Sequence, residues 1–175
     1  KEKFGDEISK YYGRDLIIPK IPFPQVTLEE TKKLLNEFKI SGTEERDLNP
    51  EEERKLCNVI KEKFNHEFVF VVDYPKEGRA FYHMRYEDKP NITKGFDLLW
   101  NGLEITTGAQ REHRYNILAK QAKERGLKLK LIQYYLNFFK YGCPPHGGFG
   151  FGPSRFVMKI LNISNVREVT YLYRG

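Results

Sequence analysis

The sequence predicts an α+β domain, an antiparallel β-sheet flanked by helices. Three observations carry that prediction. Two strand-like runs, residues 94–100 and 103–107, are joined by Asn101-Gly102, a dipeptide that accepts the positive φ of a two-residue hairpin turn. The other strand-like runs are separated by stretches with apolar residues at helical spacing, without the regular βαβ alternation of a parallel sheet. The run Gly148-Phe-Gly-Phe-Gly152 lacks the G-x-G-x-x-G order of a dinucleotide-binding turn and follows no parallel β-unit.

Taken in order, Thr27-Leu-Glu-Glu30 fits a capping box and opens a helix reaching about Phe38. Residues 41–49 are polar and read as a loop. Pro50, behind Asn49, takes the first position of a second helix, with Leu56, Val59, Ile60 and Phe64 at helical spacing. Residues 67–73 form a buried strand by their β-branched and aromatic content, halted at Tyr74-Pro75. After a turn at Lys76-Glu-Gly78, residues 79–84 are expected to be a further strand. The 94–107 hairpin follows. Helices over 114–125 and about 131–140 end at Gly126 and at Tyr141-Gly142. A glycine-rich strand, 147–152, feeds a helix over 154–161 with Pro153 at its start, and residues 168–173 are expected to close the domain as a short strand.

At 175 residues the chain has the length of one domain, with 39% hydrophobic and 31% charged residues. The longest apolar runs, 68–72 and 156–158, are far too short to span a bilayer, so no membrane partner is expected. The charged residues around Lys1 do not read as a signal peptide. Two cysteines, Cys57 and Cys143, cannot build a disulfide framework or a Cys-rich zinc site, and a cytoplasmic location is expected. The net charge of +6 and the pI near 9.2 are compatible with nucleic acid or nucleotide partners. The basic residues are spread through amphipathic helices, and solvated helix faces account for most of them. No repeat, P-loop, zinc motif or Ser-His-Asp arrangement is present, and His66, His83 and His113 lack metal-ligand spacing. His146 has no nucleophile paired with it in sequence.

Two segments hold the residues suited to chemistry. Asp97 and Glu104, seven residues apart, flank the Asn101-Gly102 turn, where a hairpin can bring two carboxylates together. Paired acids suit Mg²⁺, which takes one or two carboxylates alongside phosphate oxygens. Read on spacing alone, an edge residue and a solvated strand residue account for them better. Arg111, close behind Thr107 and Gly108, is suited to a planar, two-pronged contact with a carboxylate; it also reads as an exposed arginine at a helix entrance. The alternating glycines of 147–152 put a bare face on a strand, where a flat ring can approach the backbone, and Arg155 follows in the first helical turn. The competing account is a glycine face that makes room for a packed helix.

Gly102-Leu-Glu-Ile-Thr-Thr-Gly-Ala-Gln-Arg111 and Pro144-Pro-His-Gly-Gly-Phe-Gly-Phe-Gly152 with Arg155 resemble the second half of a class II aminoacyl-tRNA synthetase active site of the aspartyl, archaeal type. Phe96-Asp97, Asp73-Tyr74-Pro75, Arg79-Ala-Phe-Tyr-His-Met84 and Asn165-Val-Arg-Glu-Val169 extend the resemblance from about Asp47 to the C-terminus. The resemblance implies a partial class II catalytic core: residues 1–46 a peripheral or inserted segment and 47–175 the motif-bearing core of one domain. It implies that Asp97, Glu104 and Thr107 hold ATP-bound Mg²⁺, and that Arg111 and Thr107 bind aspartate. Glu104, Gly152, Pro153, Ser154 and Arg155 would bind ATP, with Arg155 and Glu104 catalytic. The activity implied is attack of the aspartate carboxylate on the α-phosphorus of ATP, then transfer of aspartyl to the tRNA 3′ end, by an enzyme that is a homodimer at full length.

The pattern departs from the family in four respects. Pro153-Ser154 stands before Arg155 where the family has a glutamate, and Thr107 stands where it usually has serine. Glu112-His113-Arg114-Tyr115 is nearer the asparaginyl enzymes. Motif 1, motif 2 and an anticodon-binding barrel are not found, so this stretch by itself is not expected to aminoacylate tRNA. An asparaginyl-tRNA synthetase, a synthetase-derived asparagine synthetase and a non-catalytic paralogue acting as a binding partner are the alternatives.

Overall fold

The computed structural model describes residues 1–37 and 45–172. Its sheet has five strands in the order β1-β2-β3-β4-β5: β1 (Gln25–Thr27), β2 (Phe68–Val72), β3 (Gly95–Trp100), β4 (Glu104–Gln110) and β5 (Gly147–Phe151). All neighbours are antiparallel except β1, which lies parallel to β2. That parallel pair is closed by a crossover through α2 (Leu28–Glu37) and α3 (Pro50–Phe64), as parallel strands require. The remaining helices are α1 (Gly5–Tyr12), α4 (Tyr115–Glu124), α5 (Gln133–Lys140) and α6 (Pro153–Ile160).

Local chemistry sets several boundaries where the sequence places them. The Thr27 hydroxyl accepts the Glu30 amide at 3.1 Å, and the Glu30 carboxylate accepts the Thr27 amide at 2.8 Å. Asn49 and Glu52 form a second reciprocal cap on α3. Asn101 (φ 46°) and Gly102 (φ 77°) make the hairpin turn, with Trp100 and Leu103 exchanging two backbone hydrogen bonds. The helix end expected near Phe38 and the first four residues of the 41–49 loop lie outside the described residues.

Side chains of period two divide the sheet into two faces. Val69, Val71 and Leu99 pack beneath α2 and α3 with Leu28, Leu56 and Ile60. On the opposite face, Phe68 and Trp100 stack at 4.9 Å and meet Phe156 and Ile160 of α6. A third cluster, built on Leu118, Leu136 and Phe139, joins α4 to α5. Among the described residues no helix is long and apolar enough to cross a membrane.

Three expectations are corrected. Residues 79–84 form a loop, with one isolated bridge between His83 and Arg111. Three of its carbonyls are taken by side chains of the α4 region, Gln121 donating to Phe81 O and His83 O and Arg125 to Arg79 O, and the other three by the backbone amides of His83, Glu112 and Lys94. A backbone satisfied in this way has no need of a strand partner. Residues 166–169 form a 3-10 turn, because the Asn165 side chain accepts the Arg167 amide at 3.0 Å; Tyr173 is outside the described residues. Phe64, at core spacing on α3, is 59% exposed at the last helical position.

Candidate active site

The geometry turns on one extra residue. Asp97 on β3 stands opposite Thr107 on β4, and Leu98 opposite Thr106, but Leu99 stands opposite Glu104. Ile105 is therefore bulged. In an unbroken strand Glu104 and Thr107, three apart, would point to opposite faces; the bulge returns Glu104 to the face of Asp97 and Thr107. The Gly152 amide donates to Ile105 O at 2.9 Å and ties the start of α6 to this kink. Arg155, one turn on, donates to Glu104 O at 2.9 Å and to Glu104 Oε1 at 3.2 Å. Pro153 and Ser154 form the first turn of α6 beside it.

Two side chains absent from the sequence-based assignment complete this end. Arg79, from the 79–84 loop, engages both oxygens of buried Asp97 and donates to Thr107 Oγ1 at 3.3 Å. Its guanidinium lies 3.5 Å from the centroid of the Tyr74 ring. Burial, then the Asp97 charge, raises the Tyr74 phenol. Glu53, on α3, accepts the Glu104 amide at 3.3 Å. Burial pushes its carboxyl up to about 7, with Glu104 and Asp97 adding to the rise, while the Glu104 amide and Arg155 oppose it. Burial and the Asp97 charge also raise Glu104. Arg79 falls in a segment already noticed for its family pattern; Glu53 carries no such mark.

Arg111 lies past the far end of β4, roughly 20 Å of strand from Glu104 at ~3.3 Å per residue. Its guanidinium sits 4.7 Å from the Tyr82 ring centroid, and its amide donates to His146 O at 2.9 Å. Buried His83 follows Tyr82, and its imidazole is lowered to about 4 by burial first, then by Arg111 and Arg79. Between the two ends, Thr107 faces Gly150 and Ala109 faces Gly148. A Cβ on Gly150 would meet nothing within 4 Å, so this floor is open to a flat ligand. The site is a trough with a guanidinium at each end and an acidic cluster at one.

The profile of the family tRNA synthetases class II (D, K and N) matches residues 3–174. The chain belongs to that family. Aspartate–tRNA(Asp) ligase of Pyrococcus furiosus is 44% identical over 86% of this chain and 34% of its own length. Aspartate–tRNA(Asp/Asn) ligase of Aeropyrum pernix is 42% identical over 99% of the chain and 40% of its own length. The solved aspartyl tRNA synthetase of Entamoeba histolytica superposes with a TM-score of 0.90 at 33% identity, covering 99% of this chain and 36% of that one. The class II chain thus spans about a third of the length of the relatives it matches.

Set in this class II frame, Asp97, Glu104, Thr107 and Arg155 meet in one cluster, and Arg111 stands apart at the opposite end. The open glycine floor and the half-exposed Arg155 fit a nucleotide. A metal role for Asp97 does not fit this arrangement, since Arg79 occupies both its oxygens and the Thr107 hydroxyl accepts from the same guanidinium. Among the described residues no three His, Cys, Asp or Glu side chains are grouped to hold a metal ion.

Proposed function

We propose that this chain is the C-terminal part of the catalytic domain of an aspartate–tRNA ligase, residues 47–175 carrying its motifs and 1–46 an added segment. The observation that carries the reading is the separation of Arg111 from the Glu104–Arg155 cluster across an open glycine floor. Arg111, held by the His146 carbonyl and the Tyr82 ring, pairs with the aspartate side-chain carboxylate. The adenine lies on the bare glycine strand, and Gly152, Pro153, Ser154 and Arg155 hold the nucleotide, with Arg155 balancing phosphate charge. The α-carboxylate of aspartate then attacks the α-phosphorus of ATP, pyrophosphate leaves, and the aspartyl group passes to the 3′ end of tRNA. The chain's own contribution is positioning and fixed charge. Thr107 and Glu104 line the path. Mg²⁺ bound with ATP would neutralise charge on its phosphates.

The full enzyme is read as a cytoplasmic homodimer, and this part as incapable of aminoacylation by itself. The test is aspartate-dependent exchange of pyrophosphate into ATP by the full-length polypeptide, with asparagine in parallel. Exchange with aspartate, lost in Arg111→Gln, is expected. Exchange with asparagine alone, or with neither, overturns the reading.

A further inference from the structure

Two guanidiniums answer two acids at the acidic end of the trough, at different depths. The Arg155–Glu104 pair is open, its side chains 48% and 30% exposed, whereas the Arg79–Asp97 pair is sealed, at 10% and 4%. The sealed pair leaves no carboxylate oxygen over. Arg79 Nη1 donates to Asp97 Oδ1 at 3.2 Å and to Thr107 Oγ1 at 3.3 Å, and Nη2 engages Asp97 Oδ2. One nitrogen thus stands between the carboxylate and the hydroxyl that a cation bridging β3 and β4 would need. Mg²⁺ demands its oxygens at about 2.0–2.1 Å in a near-ideal octahedron, and a nitrogen within hydrogen-bond reach of both takes that place.

The guanidinium is also held from behind. It lies 3.5 Å from the ring centroid of buried Tyr74, Asp47 Oδ1 is 3.9 Å from Nη2, and Arg125 donates to the Arg79 carbonyl. A planar cation stacked on a buried ring and paired along its edge has given up its freedom before any ligand arrives. We propose that Arg79 is the resident cation of Asp97, and that the acids of this end take no divalent cation by themselves. The proposal rests on the ligase reading only in that the family resemblance calls for a cation at these acids.

Charge argues the same way as geometry. A dication at Asp97 would stand next to a guanidinium, and water screens the repulsion of buried like charges little. With Arg155 on Glu104, each of the two carboxylates already has one positive partner. Arg79→Met would uncover what the guanidinium covers. Asp97, Thr107 and, through the bulge, Glu104 share one face of the sheet, so two carboxylates and a hydroxyl would then be open to a hard cation. Methionine keeps an unbranched apolar stem against Tyr74 and removes only the charge and its hydrogen bonds.

The test is titration of the chain with Mn²⁺ alone, without nucleotide or amino acid, free Mn²⁺ being read by electron paramagnetic resonance. The unsubstituted chain is expected to bind no tighter than about 1 mM, the weak end of protein sites for hard cations. Asp97→Asn should leave that value unchanged. Arg79→Met is expected to tighten binding at least about tenfold, and adding Asp97→Asn to it should abolish the gain. Any fall in Mn²⁺ affinity on Asp97→Asn in the otherwise unsubstituted chain would make Asp97 a ligand and overturn the proposal. Micromolar binding by the unsubstituted chain that is lost on Glu104→Gln would overturn it as well. So would an Arg79→Met chain that is folded by circular dichroism and shows no gain; if that variant unfolds, the Asp97→Asn and Glu104→Gln comparisons decide alone. Failure of pyrophosphate exchange in the unsubstituted full-length polypeptide would instead strike the ligase reading and leave the Mn²⁺ result standing, so the two failures are distinguishable.

Discussion

Glu53→Gln should leave the chain folded and make it more stable than the native sequence at pH 8, while the two remain equal near pH 4. Glu53 sits on α3 against the bulge, and its carboxyl is raised from 4.5 to about 7, first by burial and then by Glu104 and Asp97. Because the folded-state value lies above the unfolded one, the folded protein keeps a proton that the unfolded chain releases. The stability linked to that proton is complete below pH 4.5 and is lost as pH rises through 7. At 1.36 kcal/mol per pH unit, the gap corresponds to about 3 kcal/mol as a ceiling. Glu53 is only partly buried, and solvent screening brings the expected effect to about 1–2 kcal/mol. Glutamine retains an oxygen for the Glu104 amide and cannot ionise, so it isolates the titration from the contact. Urea unfolding followed by the emission of Trp100, the single tryptophan, measures both proteins from pH 4 to 8. Parallel curves across that range, or a less stable glutamine variant at pH 8, would refute the reasoning.

Three further substitutions probe the site and its floor. Arg79→Ala leaves Asp97 buried without its guanidinium and should cost about 3–5 kcal/mol in urea unfolding; a loss below about 1 kcal/mol would show that the pair is not needed. Gly108→Ala would set a Cβ 2.5 Å from the Phe96 ring and 2.8 Å from Gly148 O, so about 1–3 kcal/mol of overpacking is expected together with faster amide exchange along β5. Gly150→Ala is the contrasting case. Its Cβ meets open space, so stability should change by less than about 1 kcal/mol, and equal losses at the two positions would contradict the open floor.

What the sequence discloses about this fold is mostly local. The Thr27–Glu30 cap, Pro50 at a helix start and the Asn101-Gly102 turn are each settled within four residues, and each holds. The failures come from partners distant in sequence. Residues 79–84 read as a strand until Gln121 and Arg125, about 40 residues on, claim three of their carbonyls. The short β1 escapes notice because its pairing with β2 lies across two helices. The bulge at Ile105 is invisible in a run of ordinary strand residues, yet it decides which way Glu104 points.

The candidate site was legible as a set of residues and not as a balance of charges. The family resemblance, and not spacing, marks Asp97 and Glu104 as a pair of acids for a cation. The fold adds Glu53 and Arg79 beside the expected Arg155, and burial decides how the charges are shared. Asp97, the deepest of these three acids, takes Arg79 with both oxygens, because an unpaired charge at that depth is the most costly. Glu104, partly exposed, takes the more solvated Arg155. Glu53 is left with a backbone amide and keeps its proton near neutrality instead. Among Glu51, Glu52 and Glu53 nothing in composition distinguishes this one. Successive helical residues point about 100° apart, so Glu51 faces solvent, Glu52 is buried against Lys32, and only Glu53 turns toward the bulge. The orientation of α3 over the β3–β4 hairpin is therefore what converts one of three like residues into a member of the site.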